Sequence, residues 1–378
     1  MRFALALVLT AACLALPARA DGPLGKTDVF AGKGNFSHAL RDGTRWDDRL
    51  RGFRLADGGE GYVKKGSFTL EDLHYGFGYD RVVPSWNADC PAGTAVMVEL
   101  QASADSGKTH GGWYEVARWG DPALTGGKDT RAKKDDLGRI NEDTLELKAK
   151  ADRLSARVTL LSTRLDATPL VSLLALAVTD HTQTVKPDDS RGPAWGREVP
   201  ADFRSQGWEN ADLSYRICGP TSTGMMLTSH GVHLPTTKVA EACWDDLNGI
   251  YGNWPFIAAG ASQLMRRYAD AIPPKPGHAK AFRSYVTFAP DWKLVEQEVL
   301  DGNPVVCSIH FGTNELKGSP TNGSDGHLIL VRGFTKAGDV VVNDPAGRTP
   351  GTGRVVYNRR QLHAARHGGP VIVFHPYD

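Results

Sequence analysis

Ser214-Tyr215-Arg216-Ile217-Cys218-Gly219-Pro220-Thr221-Ser222-Thr223-Gly224-Met225-Met226-Leu227 sets a single cysteine where a loop turns into a helix. Pro220 has no N–H to lose and its fixed φ suits a first helical turn, while Gly231 is placed to end the same helix. Cys218 therefore falls at a helix N-terminus. Unpaired N–H groups and the positive end of the helix dipole favour the thiolate there, the nucleophilic form of cysteine.

A thiolate becomes a catalyst only with a base, and the base needs an orienting group. Gly326-His327-Leu328-Ile329-Leu330-Val331 starts an apolar, strand-like run on a histidine, and Gly338-Asp339-Val340-Val341-Val342-Asn343-Asp344-Pro345 closes the next strand on an acid. Two antiparallel neighbours joined by the short turn from Phe334 to Gly338 would bring His327 and Asp344 to one end of a sheet, as a Cys-His-Asp triad requires. Gln206, in Arg204-Ser205-Gln206-Gly207-Trp208, offers an amide N–H that suits a developing oxyanion together with the backbone N–H of Cys218. Each residue alone has a plainer use: Cys218 as a small buried hydrophobe, His327 as a core histidine, Asp344 as a turn cap before Pro345. Their ordered company favours the catalytic reading.

In that order, Ser-Gln, Cys-Gly-Pro-Thr-Ser, Gly-His before an apolar strand and Asn-Asp-Pro resemble the papain-like cysteine peptidases related to the double-glycine leader peptidases of bacteriocin exporters. The resemblance runs from about Val199 to Pro376 and takes in Tyr251-Gly252-Asn253-Trp254-Pro255, Gly302-Asn303-Pro304-Val305-Val306 and Pro370-Val371-Ile372-Val373-Phe374. It implies Cys218 as nucleophile, His327 as general base, Asp344 as orienting acid and Gln206 in the oxyanion hole. The gap of 12 residues from Gln206 to Cys218 is longer than in the exporter-linked peptidases, and no exporter membrane domain or ATPase motif accompanies it. Leader processing is therefore not implied.

At the other end, Arg2, an apolar run from Phe3 to Leu16 and Pro17-Ala18-Arg19-Ala20 read as a signal peptide over residues 1–20, so the expected location is periplasmic or extracellular. A lipid anchor at Cys13 is disfavoured because the apolar run continues past it. No later run has the length of a membrane span. With 378 residues and 41% hydrophobic content the chain is long enough for two cores, and a net charge of +1 gives no reason to expect nucleic acid. Of five cysteines, Cys13 leaves with the leader. If Cys218 stays free, one disulfide can form among Cys90, Cys243 and Cys307, with Cys243 to Cys307 the expected pair. Cys307 and His310 do not make a metal pair, since on a strand they point to opposite faces.

Residues 21–181 read as all-β, with Gly66–Leu70, Ala95–Leu100, Gly112–Ala117, Thr144–Leu147, Leu154–Leu160 and Val171–Val178 as short strands between Gly, Asp and Pro turns. This spacing predicts a sandwich or jelly roll. Trp86, Trp113, Tyr114 and Trp119 fall in loops or at strand ends, which suits either stacking on sugars, hence a cell-wall or carbohydrate ligand, or an ordinary core. Ser85-Trp86-Asn87-Ala88-Asp89 resembles a loop of N-terminal domains attached to secreted peptidases of this kind. Residues 182–199, with Pro187, Gly192 and Pro193, read as a linker.

Residues 200–378 then begin with helices, at Pro235–Cys243, Trp254–Tyr268 and Asp291–Leu300, and end with antiparallel strands. The expected fold is an α+β papain-like peptidase domain behind an all-β sandwich or jelly-roll domain. The expected activity is cleavage of a peptide bond in a peptide or protein substrate, with no cofactor. A cell-wall amidase or acyltransferase using the same triad, and a wall-binding protein with a degenerate peptidase domain, are the alternatives.

Overall fold

The structure, a computed structural model, describes residues 25–126, 134–183, 190–366 and 369–378. The expected leader, residues 1–20, lies outside the described residues, as does part of the expected linker. No helix among the described residues is long and apolar enough to cross a membrane.

The first half is built on strands β1 (Gly25–Ala31), β2 (Leu40–Asp42), β3 (Thr44–Asp47), β4 (Gly52–Leu55), β5 (Lys65–Asp89), β6 (Thr94–Ala104), β7 (Thr109–His110), β8 (Tyr114–Gly120), β9 (Gly138–Asn141), β10 (Thr144–Ser162) and β11 (Leu170–Thr179), with one helical turn, α1 (Pro122–Thr125), after β8. They form one connected antiparallel sheet of 11 strands, with β4, β11, β5, β10 and β6 in sequence along its path. The alternation Leu154, Ala156, Val158, Leu160 is buried on one face, as the sequence pattern predicts. Two expected strands, Thr144–Leu147 and Leu154–Leu160, are parts of the single strand β10, bridged by the polar run from Lys148 to Arg153. Strand β5 extends far past the expected Gly66–Leu70. Asp72 at φ 53° and the broken register against β10 let it continue, and its end, Arg81–Asp89, pairs with β11.

The second half holds strands β12 (Lys280–Phe288), β13 (Val305–Phe311), β14 (Ser324–Phe334), β15 (Val340–Asn343), β16 (Arg354–Tyr357) and β17 (Pro370–Tyr377), ordered β12-β17-β13-β14-β15-β16 and antiparallel throughout. Its helices are α2 (Cys218–Ser229), α3 (Thr236–Ala242), α4 (Trp254–Arg267), α5 (Lys293–Asp301), the turn α6 (Pro350–Gly353) and α7 (Arg359–Arg366). Helices α2, α3 and α4 pack on one sheet face through Met225, Val239, Ile257, Val306, Leu330 and Ile372. The other face, with Val305, Cys307, Ile329 and Val331, packs on Trp292, Val295 and Leu362 from the region of α5 and α7. Strand β12 and helix α7 are absent from the sequence reading. β12 is only partly apolar, and α7 (Arg359-Arg360-Gln361-Leu362-His363-Ala364-Ala365-Arg366) is mostly polar.

This two-faced packing corrects the expected disulfide. Cys243 belongs to the cluster under α3 and α4, whereas Cys307 points to the opposite face of the sheet, and both are free thiols, as is Cys90. On β13 Cys307 is buried and His310 exposed, as strand alternation dictates.

The aromatic residues of the first half also need correction. Trp86 is 0% exposed, Tyr114 2% and Trp119 6%, and the half-buried Trp113 lies under the Arg157 guanidinium, so they do not form an open stacking platform. Ser85-Trp86-Asn87 is not a loop but part of β5, at the junction with the second half. The Asn87 amide donates to Ser284 O at 2.6 Å and accepts from Ser284 N–H at 3.1 Å, and Ser85 Oγ accepts from Val286 N–H at 3.0 Å. These side chains take up backbone groups of the edge strand β12 that would otherwise be open to another chain. Between them, Trp86 meets Phe256 of α4 edge to face at 5.5 Å. Asp143 adds a second tie, accepting from Trp254 N–H at 2.9 Å at the start of α4.

Trp86→Ala is expected to cost about 3–5 kcal/mol, the usual range for emptying a buried tryptophan site. Urea unfolding would read this directly, and a curve like the wild type's would mean that the junction does little to hold the fold. Within the stretch read as a linker, Trp195 and Glu198 bridge to Phe334 and Gly333 and so lie against the second sheet.

Candidate active site

Helix α2 runs from Cys218 to Ser229 with His230 as its C-cap, and Gly231 follows at φ 90°, the left-handed conformation for which the sequence supplies glycine. Residues 219–228 are buried on every side, so α2 is a central helix. Its first turn is pinned to β14 twice. Ser222 Oγ donates to Leu328 O at 2.9 Å, and at Gly219 any Cβ would come within 2.8 Å of the Leu328 side chain. Both contacts fall on Leu328, the residue after His327, and hold the start of α2, with its thiol, against the strand that carries the imidazole.

Strand β14 pairs with β15 through Leu330 with Asn343 and Val331 with Val342, and Asp344 follows β15 directly. The expected hairpin therefore forms. Gly338 turns it at φ 92°, close against the Trp195 ring. His327 is 7% exposed and Asp344 0%. His327 Nε2 and Asp344 Oδ1 are 2.7 Å apart, and the half-buried Cys218 thiol is within hydrogen-bonding reach of the same imidazole. With Nε2 committed to the acid, Nδ1 is the nitrogen left for the thiol.

The electrostatics follow from this contact. Burial pushes the Cys218 thiol up, but the hydrogen bond and charge of His327, with the Leu328 and Gly219 backbone, outweigh it and leave the thiol below its ordinary value. Burial pushes His327 down, and the charge and hydrogen bond of Asp344, helped by Cys218, reverse this and raise it to about 10. Asp344 is pushed up by burial and brought below the ordinary carboxylate range by His327, Tyr357 and the Ala346 N–H. The arrangement favours a thiolate facing an imidazolium backed by a carboxylate.

Gln206 enters from the loop before α2. Its N–H donates to Pro345 O at 2.9 Å, and Trp208 Nε1 donates to Arg348 O at 2.8 Å, so this loop is tied to the turn that carries Asp344. The Gln206 side chain is half-buried, and its amide oxygen has no partner among the described residues. Tyr357 is the site residue that the sequence reading missed. Its hydroxyl donates to Asp344 Oδ2 at 2.6 Å from strand β16. Alternation along Val355-Val356-Tyr357 puts Tyr357 on the buried face, but which acid it meets depends on the turn between β15 and β16.

Residues 199–366 match the Peptidase_C39 like family, and residues 35–179 match the Peptidase C39 N-terminal domain. No curated protein matches the chain. Among solved structures, a double glycine motif protease from an AMS/PCAT transporter, in complex with the leader peptide, is 19% identical with a TM-score of 0.28, over 48% of this chain and 94% of that one. A family two carbohydrate esterase from Cellvibrio japonicus is 12% identical with a TM-score of 0.20, over 53% and 50%. A structure of carbohydrate-binding modules of the β-sandwich super family is 12% identical with a TM-score of 0.19, over 42% and 56%. TM-scores this low carry no argument. The two family matches, one on each half, give the chain a Peptidase_C39-like domain preceded by a C39 N-terminal domain and support a cysteine peptidase.

Proposed function

We propose that the protein is an exported cysteine hydrolase that cleaves a peptide bond with Cys218, His327 and Asp344, in a papain-like α+β domain (residues 200–378) behind a β-sandwich domain (residues 21–181) and a linker (182–199). The observation that carries this reading is the unbroken line from thiol to imidazole to buried carboxylate, with His327 Nε2 and Asp344 Oδ1 2.7 Å apart. Export rests on the leader-like pattern of residues 1–20.

The Cys218 thiolate attacks the scissile carbonyl, and the S–C bond forms as the carbonyl electrons move to oxygen. The Cys218 N–H, at a helix start, and the Gln206 amide bind that oxyanion. The His327 imidazolium gives its proton to the leaving amine as the C–N bond breaks. Neutral His327 then takes a proton from water, whose oxygen attacks the thioester and frees Cys218. Asp344 holds the imidazole orientation and balances its charge throughout.

Iodoacetamide labelling of each cysteine across pH 4 to 9, read by mass spectrometry, tests this reading. Cys218 is expected to label well below the ordinary thiol value of about 8.5 and to lose that behaviour in His327→Ala. Cys90, Cys243 and Cys307 act as internal controls, because burial pushes all three thiols up. A Cys218 that labels no faster than these controls would end the hydrolase reading.

A further inference from the structure

Asp344 has no exposed surface, so its carboxylate depends entirely on protein donors. Oδ1 takes His327 Nε2 at 2.7 Å and the Ala346 N–H at 3.0 Å, and Oδ2 takes the Tyr357 hydroxyl at 2.6 Å. Without that hydroxyl, Oδ2 would be a buried anionic oxygen with no donor, and the carboxylate would be free to turn about its Cβ–Cγ bond. Tyr357 cannot follow such a turn. It is 0% exposed, belongs to the buried cluster that includes Trp292, Phe334 and Leu362, and is held by β16 pairing with β15.

We infer that Tyr357 is a positioning residue of the hydrolytic site, which keeps Asp344 ionised and turned so that Oδ1 faces His327. The inference rests on the cysteine-peptidase reading of Cys218. It also connects the site to the loop between β13 and β14, because the Ser319 hydroxyl lies within bonding reach of the same phenol. The titratable groups around Asp344 are His327 from β14 and Tyr357 from β16, with Cys218 of α2 beyond His327.

The test is the pH dependence of Cys218 alkylation by iodoacetamide in the full-length wild type, Tyr357→Phe, Asp344→Asn and the double variant. Phenylalanine keeps the ring packing and removes only the donor. Loss of the donor makes Asp344 easier to protonate, and a protonated Asp344 no longer supports the imidazolium that keeps Cys218 a thiolate. The acidic limb of Tyr357→Phe is therefore expected to move up by about one pH unit, with labelling below the midpoint falling about ten-fold and labelling above pH 9 unchanged. In the double variant the tyrosine change is expected to add nothing to Asp344→Asn, since both act through one carboxylate. A Tyr357→Phe profile that superimposes on the wild type, a limb that moves down, or losses that add in the double variant would overturn the inference alone. A wild-type Cys218 that titrates as an ordinary thiol would overturn the peptidase reading and this inference with it.

Discussion

Cys218→Ala is expected to abolish peptide hydrolysis and leave the fold intact. Removal of the nucleophile from a nucleophile–base–acid unit usually costs about as much as removal of all three groups, on the order of 10⁶-fold in kcat, because the remaining groups have no attacking atom to serve. The fold should tolerate the change. Cys218 is half-buried at the first residue of α2, while the hydrogen bond from Ser222 to Leu328 and the close packing at Gly219 hold the helix without the sulfur. Loss of the sulfur atom itself should shift stability by no more than about 1 kcal/mol. His327 loses a partner that helps keep it protonated, so its pKa should fall from the wild-type value of about 10. The measurement is turnover of a peptide library by mass spectrometry beside a thermal melt. Retention of more than about one per cent of wild-type turnover, far above what a loss of that order leaves, would mean that another group attacks the carbonyl.

The part of this site that is local in sequence can be read from the residues alone. A glycine-proline pair marks where α2 begins, and Gly231 marks where it ends. Apolar runs broken by Gly338 define a hairpin that carries a histidine at one end and an acid at the other. Each of these signals lies within a few residues of the feature that it specifies. Tyr357 is not legible for the opposite reason. Its strand is readable, but its partner is chosen by the β15–β16 pairing and by the turn through Pro350–Gly353.

The same distinction explains the first half of the chain. Trp86, Trp119 and Tyr114 look open to solvent because turn residues surround them in sequence, yet all three are buried. For Trp86 the cover comes from α4, far along the chain, through Phe256. The expected bridge from Cys243 to Cys307 fails similarly: sequence places both in one half, and only the sheet shows that they lie on opposite faces. At the junction, Asn87 and Ser85 work as backbone mimics for the edge strand β12. No periodicity encodes such a role.

Asp344→Asn separates orientation from nucleophilicity. Asparagine has nearly the same shape, and with its oxygen in the place of Oδ2 it still accepts from the Tyr357 hydroxyl, but the Ala346 N–H then loses its acceptor and the negative charge beside His327 is gone. A side-chain NH₂ turned toward His327 Nε2 would also force the proton onto Nδ1, the nitrogen that must receive a proton from the thiol. Turnover at neutral pH is expected to fall by about 10²–10⁴-fold rather than to zero. Part of this loss should return at alkaline pH, where Cys218 ionises without help while the acid needed by the leaving amine stays weak. Stability should change in a matching way. His327 has a folded pKa raised to about 10, so its contribution is fully present below its ordinary 6.5 and is lost as pH rises through about 10. Asp344 is held below the ordinary carboxylate range, so its contribution is present above that range and is lost as pH falls through its folded value. Cys218, also held low, works in the opposite sense to His327 as pH nears the ordinary thiol range, and offsets part of the alkaline loss. The stability difference between wild type and Asp344→Asn should therefore peak between about pH 5 and 6.5 and shrink on both sides. Urea melts at pH 3, 6 and 9 would show this peak, and a difference that is flat across the three would mean that Asp344 supports the fold without holding the charge of His327.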